Sequence, residues 1–233
     1  MNEKLIMIPG TLCDETLFKY QKKYLASIAD SHIADTCSSA SLKQVAKNIL
    51  DTYSGDLYIM GLSYGGIIAF ELLRQASERI KKLILLDTNY KKPSEQTKVN
   101  MQRFVGMAYL GEFKEITSTI LTDAMLHPKN AQKKELRDIV LEMAINVGVD
   151  GFFNQVKAQL ARPDSTNDLH NIMCPTLIMA GKEDTICPLE LHEEMAAAIP
   201  NSTLNIIEEC GHLSTLEQPD LVNKAIINWW SKN

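Results

Sequence analysis

Residues 58–69 read YIMGLSYGGIIA, an apolar run that ends in Ser63 and is followed at once by a second apolar run. The first run is short and ends in turn residues, as a buried strand does; the second continues to residue 76 and is apolar all round, as a helix packed on a sheet would be. A polar hydroxyl at such a junction needs a reason. Gly61-Leu62-Ser63-Tyr64-Gly65 has the spacing G-x-S-x-G. At a strand-to-helix turn this spacing forces the serine into a strained backbone conformation and lifts its Oγ clear of the sheet. Side chains two residues before and after would collide, so glycine is required there. The helix that follows points its N-terminus at the hydroxyl, and the Tyr64 N–H is available to an oxyanion. The spacing matches neither G-x-G-x-x-G nor a phosphate-binding loop, so nucleotide binding gains no support.

Outward from this junction, similar apolar runs recur at 4–10, 56–63, 81–88, 175–184 and 203–212, with a weaker one at 31–35. They are apolar on both faces, which predicts the interior of a parallel sheet. Helical patterns alternate with them. At 41–53, Leu42, Val45, Ala46, Ile49 and Leu50 form one stripe. Segments 188–200 and 219–231 each open with a proline, which suits a first helical position. The expectation is an α/β fold: about six mostly parallel strands with helices on both faces.

The alternation breaks once. Between Asp87 and Pro175 no strand pattern occurs, and helical patterns fill roughly 94–110, 112–126, 131–147 and 149–161. A connection this long inside a compact domain is usually functional. The expected organisation is a core of residues 1–88 and 174–233, with 89–173 inserted as a helical cap or lid.

The 233 residues carry a net charge of −5, with 45% hydrophobic and 23% charged residues. This suits one soluble α/β domain with an insertion and gives no sign of nucleic-acid binding. No apolar stretch reaches the ~20 residues that span a bilayer, and the N-terminus has no leader pattern. Cys13, Cys37, Cys174, Cys187 and Cys210 are odd in number and widely spaced. They read as free thiols, and a cytoplasmic location is expected. The oligomeric state is left open.

A serine hydroxyl becomes a useful nucleophile only when a base takes its proton and a third group orients the base. Asp184 in AGKEDTICP and His212 in ECGHLSTLEQP each follow a predicted strand. Both therefore fall on the sheet edge that carries Ser63, where open α/β sheets place their sites. Asp87 ends a strand on the same edge and is the rival acid. Among the other histidines, His192 falls inside a helical pattern, His127 and His170 in loops, and His32 at a weak strand. No metal-ligand cluster is indicated, and no cofactor is expected.

The segments GLSYG, GKEDTICP and GHLSTLEQP together resemble the three signatures of the α/β-hydrolase superfamily, in its order serine, aspartate, histidine. Carried onto this chain, the resemblance implies Ser63 as nucleophile, His212 as general base and then acid, and Asp184 as the orienting acid. It gives Glu217 and Pro219 a structural role at the start of the last helix. It also implies a second oxyanion donor from the loop after the first central strand, here IPGTLCDETLF (8–18), where Pro9 replaces the family's usual histidine. The matching donor is the Thr11 N–H, with Leu12 as the fallback. The chain opens directly at this strand, so a sheet without the family's usual antiparallel N-terminal strands is expected, leaving an edge to cover.

A serine at this position fits acyl transfer to water rather than the aspartate-based dehalogenase or epoxide chemistry of the superfamily. The chain is similar to its small capped carboxylesterases and enol-lactonases, and hydrolysis of a small acyl ester is the expectation. The alternatives are carbon–carbon hydrolysis or elimination, as in the superfamily's menaquinone-pathway synthase, thioester hydrolysis, and a non-enzymatic receptor. An anionic substrate would call for cap arginines, and Arg103 and Arg162 are the candidates, with a salt-bridge tether from Arg162 to Asp164 as the competing reading.

Overall fold

The computed structural model describes residues 3–232. Its six strands are β1 (Glu3–Ile8), β2 (Ala29–Ile33), β3 (Leu57–Leu62), β4 (Ile80–Leu86), β5 (Thr176–Gly181) and β6 (Ser202–Ile207), in the order β2-β1-β3-β4-β5-β6. Every pairing is parallel. The chain leaves β1 in one direction to build β2, then crosses back to build β3 on the other side of β1. This reversal opens a crevice at the carboxyl ends of β1 and β3, where ligands of open α/β sheets bind. The loop after β1 and Ser63 after β3 flank it.

Alternate residues of the central strands enter separate cores. Leu5, Met7, Met60, Leu62, Ile84 and Leu86 face α10 (Pro219–Trp230) and Leu17, Phe18 and Leu25, which flank α1 (Lys19–Tyr24). Ile6, Ile8, Leu57, Ile59, Leu83 and Leu85 face α2 (Leu42–Thr52), α3 (Tyr64–Ala76) and α8 (Leu189–Ala198). The stripe anticipated on α2 is the buried one: Leu42, Val45, Ala46 and Ile49 are its buried residues, and Ser41 caps the helix by accepting from Gln44 N–H at 3.3 Å. Each buried aliphatic side chain of this size contributes about 1.5–3 kcal/mol. The helical stretch at 15–27, which includes α1, was not anticipated from periodicity.

The inserted segment is helical. It contains α4 (Glu95–Met107), α5 (Phe113–Glu115), α6 (Thr122–Met125) and α7 (Lys134–Leu160), with Ala108–Glu112 and Ile116–Leu121 wound as π turns. The two helices expected at 131–147 and 149–161 run together as α7, but the backbone breaks at Gly148, with φ 69° and ψ 176°. Only glycine adopts this conformation cheaply. On the N-terminal side of the break, Leu136, Val140 and Met143 join the apolar cluster beneath the sheet. On the other side, Phe152 and Val156 form a third cluster with Ala108, Ile116, Ala144 and Leu12. Residues 166–172, placed in the cap by the sequence, instead return to the core: Leu169 and Ile172 are buried with the α3 face of the sheet. The short helix α9 (Ser214–Glu217) precedes α10.

Candidate active site

Ser63 connects β3 to α3 with φ 55° and ψ −113°, a conformation an L-residue adopts only where its surroundings impose it. Its N–H donates to the Leu86 carbonyl at 2.9 Å, and its own carbonyl accepts from Thr88 Oγ1 at 2.7 Å. The glycines supply clearance. A Cβ on Gly61 would lie 2.4 Å from the Gly65 carbonyl oxygen, and one on Gly65 would lie 1.9 Å from the Ile8 oxygen. Gly66 lets α3 pack against the Thr88 side chain, which a Cβ would meet at 2.4 Å.

The acid and the base converge on this serine. Asp184 lies in the loop after β5, 4% exposed, and His212 in the loop after β6, 3% exposed. Ile186 and Cys187 N–H groups donate to Asp184 Oδ1 at 2.8 and 3.0 Å. Asp184 Oδ2 is 2.7 Å from His212 Nδ1, and His212 Nε2 is 2.8 Å from Ser63 Oγ. With Nδ1–H donated to the carboxylate, Nε2 is the acceptor for the serine hydroxyl, the geometry a general base needs. Burial alone would make the imidazole less basic. The Asp184 charge and hydrogen bond, then the charges of Asp87 and Glu217, outweigh it and hold His212 above its ordinary value of 6.5.

Asp87, the rival acid, is fully buried but does not bond to His212. Its oxygens accept from Gly181 N–H at 2.9 Å and Ser214 N–H at 3.2 Å, so it ties β4 to the loops that carry Asp184 and His212. Burial, and then the nearby Asp184 charge, push its carboxyl up to about 7.

Glu217 does more than begin a helix. One carboxylate oxygen accepts from Gly211 N–H at 3.0 Å and Leu213 N–H at 3.3 Å, on either side of His212. The other accepts from His127 N–H at 2.8 Å and Asn130 Nδ2 at 2.9 Å, in the inserted segment. Periodicity could not signal this: only the position of the glutamate just after the histidine loop hinted at it.

The loop after β1 turns tightly at Gly10–Cys13, closed by Cys13 N–H to the Gly10 carbonyl at 3.3 Å, with Leu12 at φ 59°. Leu12 N–H donates to Gln155 Oε1 at 2.9 Å, so the fallback oxyanion donor is already engaged. A cavity of about 110 Å³ opens beside this loop, lined by Thr11, Leu12, Ser63, His212 and Gln159 together with Leu62, Met101, Leu121, Met125, Ile186 and Leu213. None of its described lining residues carries a full charge other than through His212.

Neither candidate arginine lines this cavity. Arg103 is exposed with its guanidinium over the Phe104 ring. Arg162 donates to the Lys91 carbonyl at 2.9 Å and the Gln159 carbonyl at 3.2 Å. Asp164 engages Lys92 N–H and Thr166 rather than the arginine, so the tether runs through backbone carbonyls and not through a salt bridge. Cys13 does line the cavity, but burial pushes its thiol up to about 12, which leaves it a poor nucleophile. Asp184, Cys187 and His212 present metal-capable atoms within 4.8 Å of one another, but two of the three are bonded to each other in the serine–histidine–aspartate chain. Among the described residues no helix is long and apolar enough to cross a membrane.

Residues 26–219 match the sequence model of the α/β-hydrolase fold. The chain belongs to this family. A structure of a thermophilic esterase from Thermogutta terrifontis, with malate bound, superposes on it with a TM-score of 0.89 at 26% identity, covering 100% of this chain and 90% of that one. The enol-lactonase from Burkholderia xenovorans LB400 superposes with a TM-score of 0.85 at 16% identity, covering 99% and 92%. In sequence, the chain is 22% identical over 214 residues to a 2-hydroxy-6-oxononadienedioate/2-hydroxy-6-oxononatrienedioate hydrolase of Paraburkholderia xenovorans (strain LB400), spanning 87% of this chain and 72% of that protein. The proteins it resembles thus include an esterase, an enol-lactonase and a hydrolase named for a dioate.

Proposed function

We propose that this α/β hydrolase cleaves a small, uncharged carboxylic ester or lactone through an acyl-enzyme on Ser63. His212 takes the Ser63 proton as Oγ attacks the carbonyl carbon, and Asp184 stabilises the imidazolium that forms. The N–H groups of Thr11 and Tyr64 receive the oxyanion. His212 then protonates the departing alkoxide. In the second half-reaction it removes a proton from water, and the acyl-enzyme is hydrolysed.

The observation that carries the substrate class is the cavity at Ser63: about 110 Å³, apolar walls, one amide from Gln159 and no lysine or arginine among its described lining, with His212 its one basic group and already bonded to Asp184. A dioate brings two carboxylates, and burying either unpaired in such a wall would be costly. This argues for an ester over the dicarboxylate substrates in the names of the sequence relatives.

The test is to assay short-chain p-nitrophenyl esters, thioesters, lactones and a carbon–carbon substrate beside Ser63→Ala. Ester or lactone turnover that vanishes in the variant supports the reading, and turnover that survives removes Ser63 from the mechanism. Turnover of the carbon–carbon substrate alone replaces the ester reading, thioester preference narrows it to thioesterase, and ligand binding without turnover of any substrate points to a receptor.

A further inference from the structure

The loop that would hold the oxyanion is fastened to the inserted segment by two glutamines one helical turn apart on α7, which places them on one face. Gln155 is 0% exposed. Its Oε1 accepts from Leu12 N–H at 2.9 Å, and its Nε2 donates to Thr36 Oγ1 at 3.0 Å, so the amide bridges the loops after β1 and β2. Gln159 Nε2 donates to Thr11 Oγ1 at 2.6 Å. The Leu12 side chain is buried in the apolar cluster that includes Ile116, Phe152 and Val156, all from the inserted segment. Leu12 belongs to the core by sequence and to the cap by packing.

Leucine at φ 59° is an unfavourable choice. The left-handed region costs a non-glycine residue roughly 1–2 kcal/mol, and such conformations persist only where several contacts over-determine them. Here the contacts come from the inserted segment: the Gln155 oxygen fixes the Leu12 N–H, the apolar cluster fixes its side chain, and Gln159 fixes the neighbouring hydroxyl of Thr11. We infer that Gln155 and Gln159 are positioning residues for the oxyanion hole, so that seating the cap and assembling the hole are one event. The inference rests on the acyl-transfer reading of Ser63. It assigns the two glutamines no contact with the reacting atoms; they act through the Gly10–Cys13 turn, which carries the proposed donor, the Thr11 N–H.

The experiment compares Gln155→Met, Gln159→Met and the conservative Gln155→Glu, which keeps an oxygen for the Leu12 N–H. Two quantities are read for each: kcat and KM on p-nitrophenyl acetate, and the inhibition constant of butylboronic acid, whose boron bonds to a serine Oγ as a tetrahedral adduct that occupies the oxyanion hole. Gln155→Met is expected to lower kcat roughly 10- to 100-fold, to leave KM nearly unchanged and to weaken boronate binding by a similar factor. Gln159→Met shows the same pattern to a smaller degree, and Gln155→Glu recovers only part of the loss, because it keeps the acceptor for Leu12 N–H but sets a negative charge beside the oxyanion. An unchanged kcat, or a lower kcat with undiminished boronate affinity, overturns the inference, as does a change confined to KM. If Gln155→Met does not fold, Gln159→Met carries the same test. A wild type that turns over no ester overturns the ester reading instead; the boronate affinities then decide the clamp alone, weakened in the variants if it exists and equal to wild type if it does not.

Discussion

The backbone N–H of His212 donates to the carbonyl of Met125 at 2.8 Å, so the imidazole that meets Ser63 hangs from the last residue of α6 in the inserted segment. Glu217 reinforces that join by accepting from Gly211, Leu213, His127 and Asn130. Gly211 makes the close approach possible, since a Cβ there would lie 2.6 Å from His127 N. The His212 loop is thus tied to the insertion by hydrogen bonds as well as to the sheet through β6.

Removing the Glu217 carboxylate should therefore damage both stability and rate. Glu217→Ala leaves several buried N–H donors without acceptors, at about 1–3 kcal/mol for each group that water cannot reach. A loss of roughly 3 kcal/mol in urea unfolding is expected, with kcat lower by about 100-fold because His212 is misplaced. Glu217→Gln keeps one oxygen and should lie between the two. Full activity in Glu217→Ala would show that the histidine loop holds its shape without this knot.

The pH dependence follows from the His212 environment. In the proposed mechanism His212 must be neutral to accept the Ser63 proton, and its basicity is raised, burial being outweighed by the Asp184 charge and hydrogen bond with help from Asp87 and Glu217. The acid limb of kcat/KM should therefore have its midpoint above 6.5, with activity lost as pH falls through it. Asp87→Asn removes one of the raising charges, so the midpoint should move down while most of the plateau rate remains. Asp184→Asn should lower the plateau by roughly 10⁴-fold, because the imidazole loses its orienting partner. Because burial and the Asp184 charge raise the Asp87 carboxyl towards the range of His212, the wild-type midpoint belongs to the group of interacting residues rather than to one of them. The opposite ordering of the two asparagine variants would make Asp87 the working acid.

Substitutions of the glycines in the turn that carries Ser63 should fail in a graded way. Gly65→Ala drives a methyl into the Ile8 backbone, which cannot yield, and should abolish folding or activity. Gly66→Ala meets the Thr88 side chain instead. Adding Thr88→Ala should recover part of its stability, a coupling that a double-mutant cycle by thermal unfolding would read directly. Strict additivity of the two changes would mean that Gly66 is needed for another reason.

What was legible in the sequence is what is local. The central strands are buried on both faces, so their apolar runs stand out, and steric clearance at G-x-S-x-G involves residues within a few positions. Asp184 and His212 were legible because a strand end puts them on one edge. Side-chain directions in the insertion were not. The π turns and the breaks at Gly111 and Gly148 rotate the helical faces in a way no fixed period describes, and neither Arg103 nor Arg162 lines the cavity. Gln155 and Gln159 left only a faint trace, two polar residues four apart on a stretch of α7 that otherwise buries Phe152, Val156 and Ala158.

His192, a helical residue that sequence reasoning set aside, makes a separate prediction. Fully buried, it accepts the Thr88 N–H on Nε2 at 3.0 Å, and Thr88 in turn holds the Ser63 carbonyl. Burial depresses its basicity to about 4 against an ordinary 6.5. The folded protein thus keeps this imidazole neutral while the unfolded chain takes up a proton, so its contribution to stability is present above pH 6.5 and lost as pH falls towards 4. The loss is about 3 kcal/mol at most. The raised basicity of His212 acts in the opposite direction, and its contribution is lost as pH rises. Urea unfolding of wild type and His192→Gln at pH 8, 6.5, 5 and 4 separates the two, because His212 is common to both proteins. The variant should be less stable at pH 8, where the imidazole acceptor is missed, and the gap should shrink steadily between pH 6.5 and 4. A gap that stays constant across that range would mean that His192 does not titrate differently on folding.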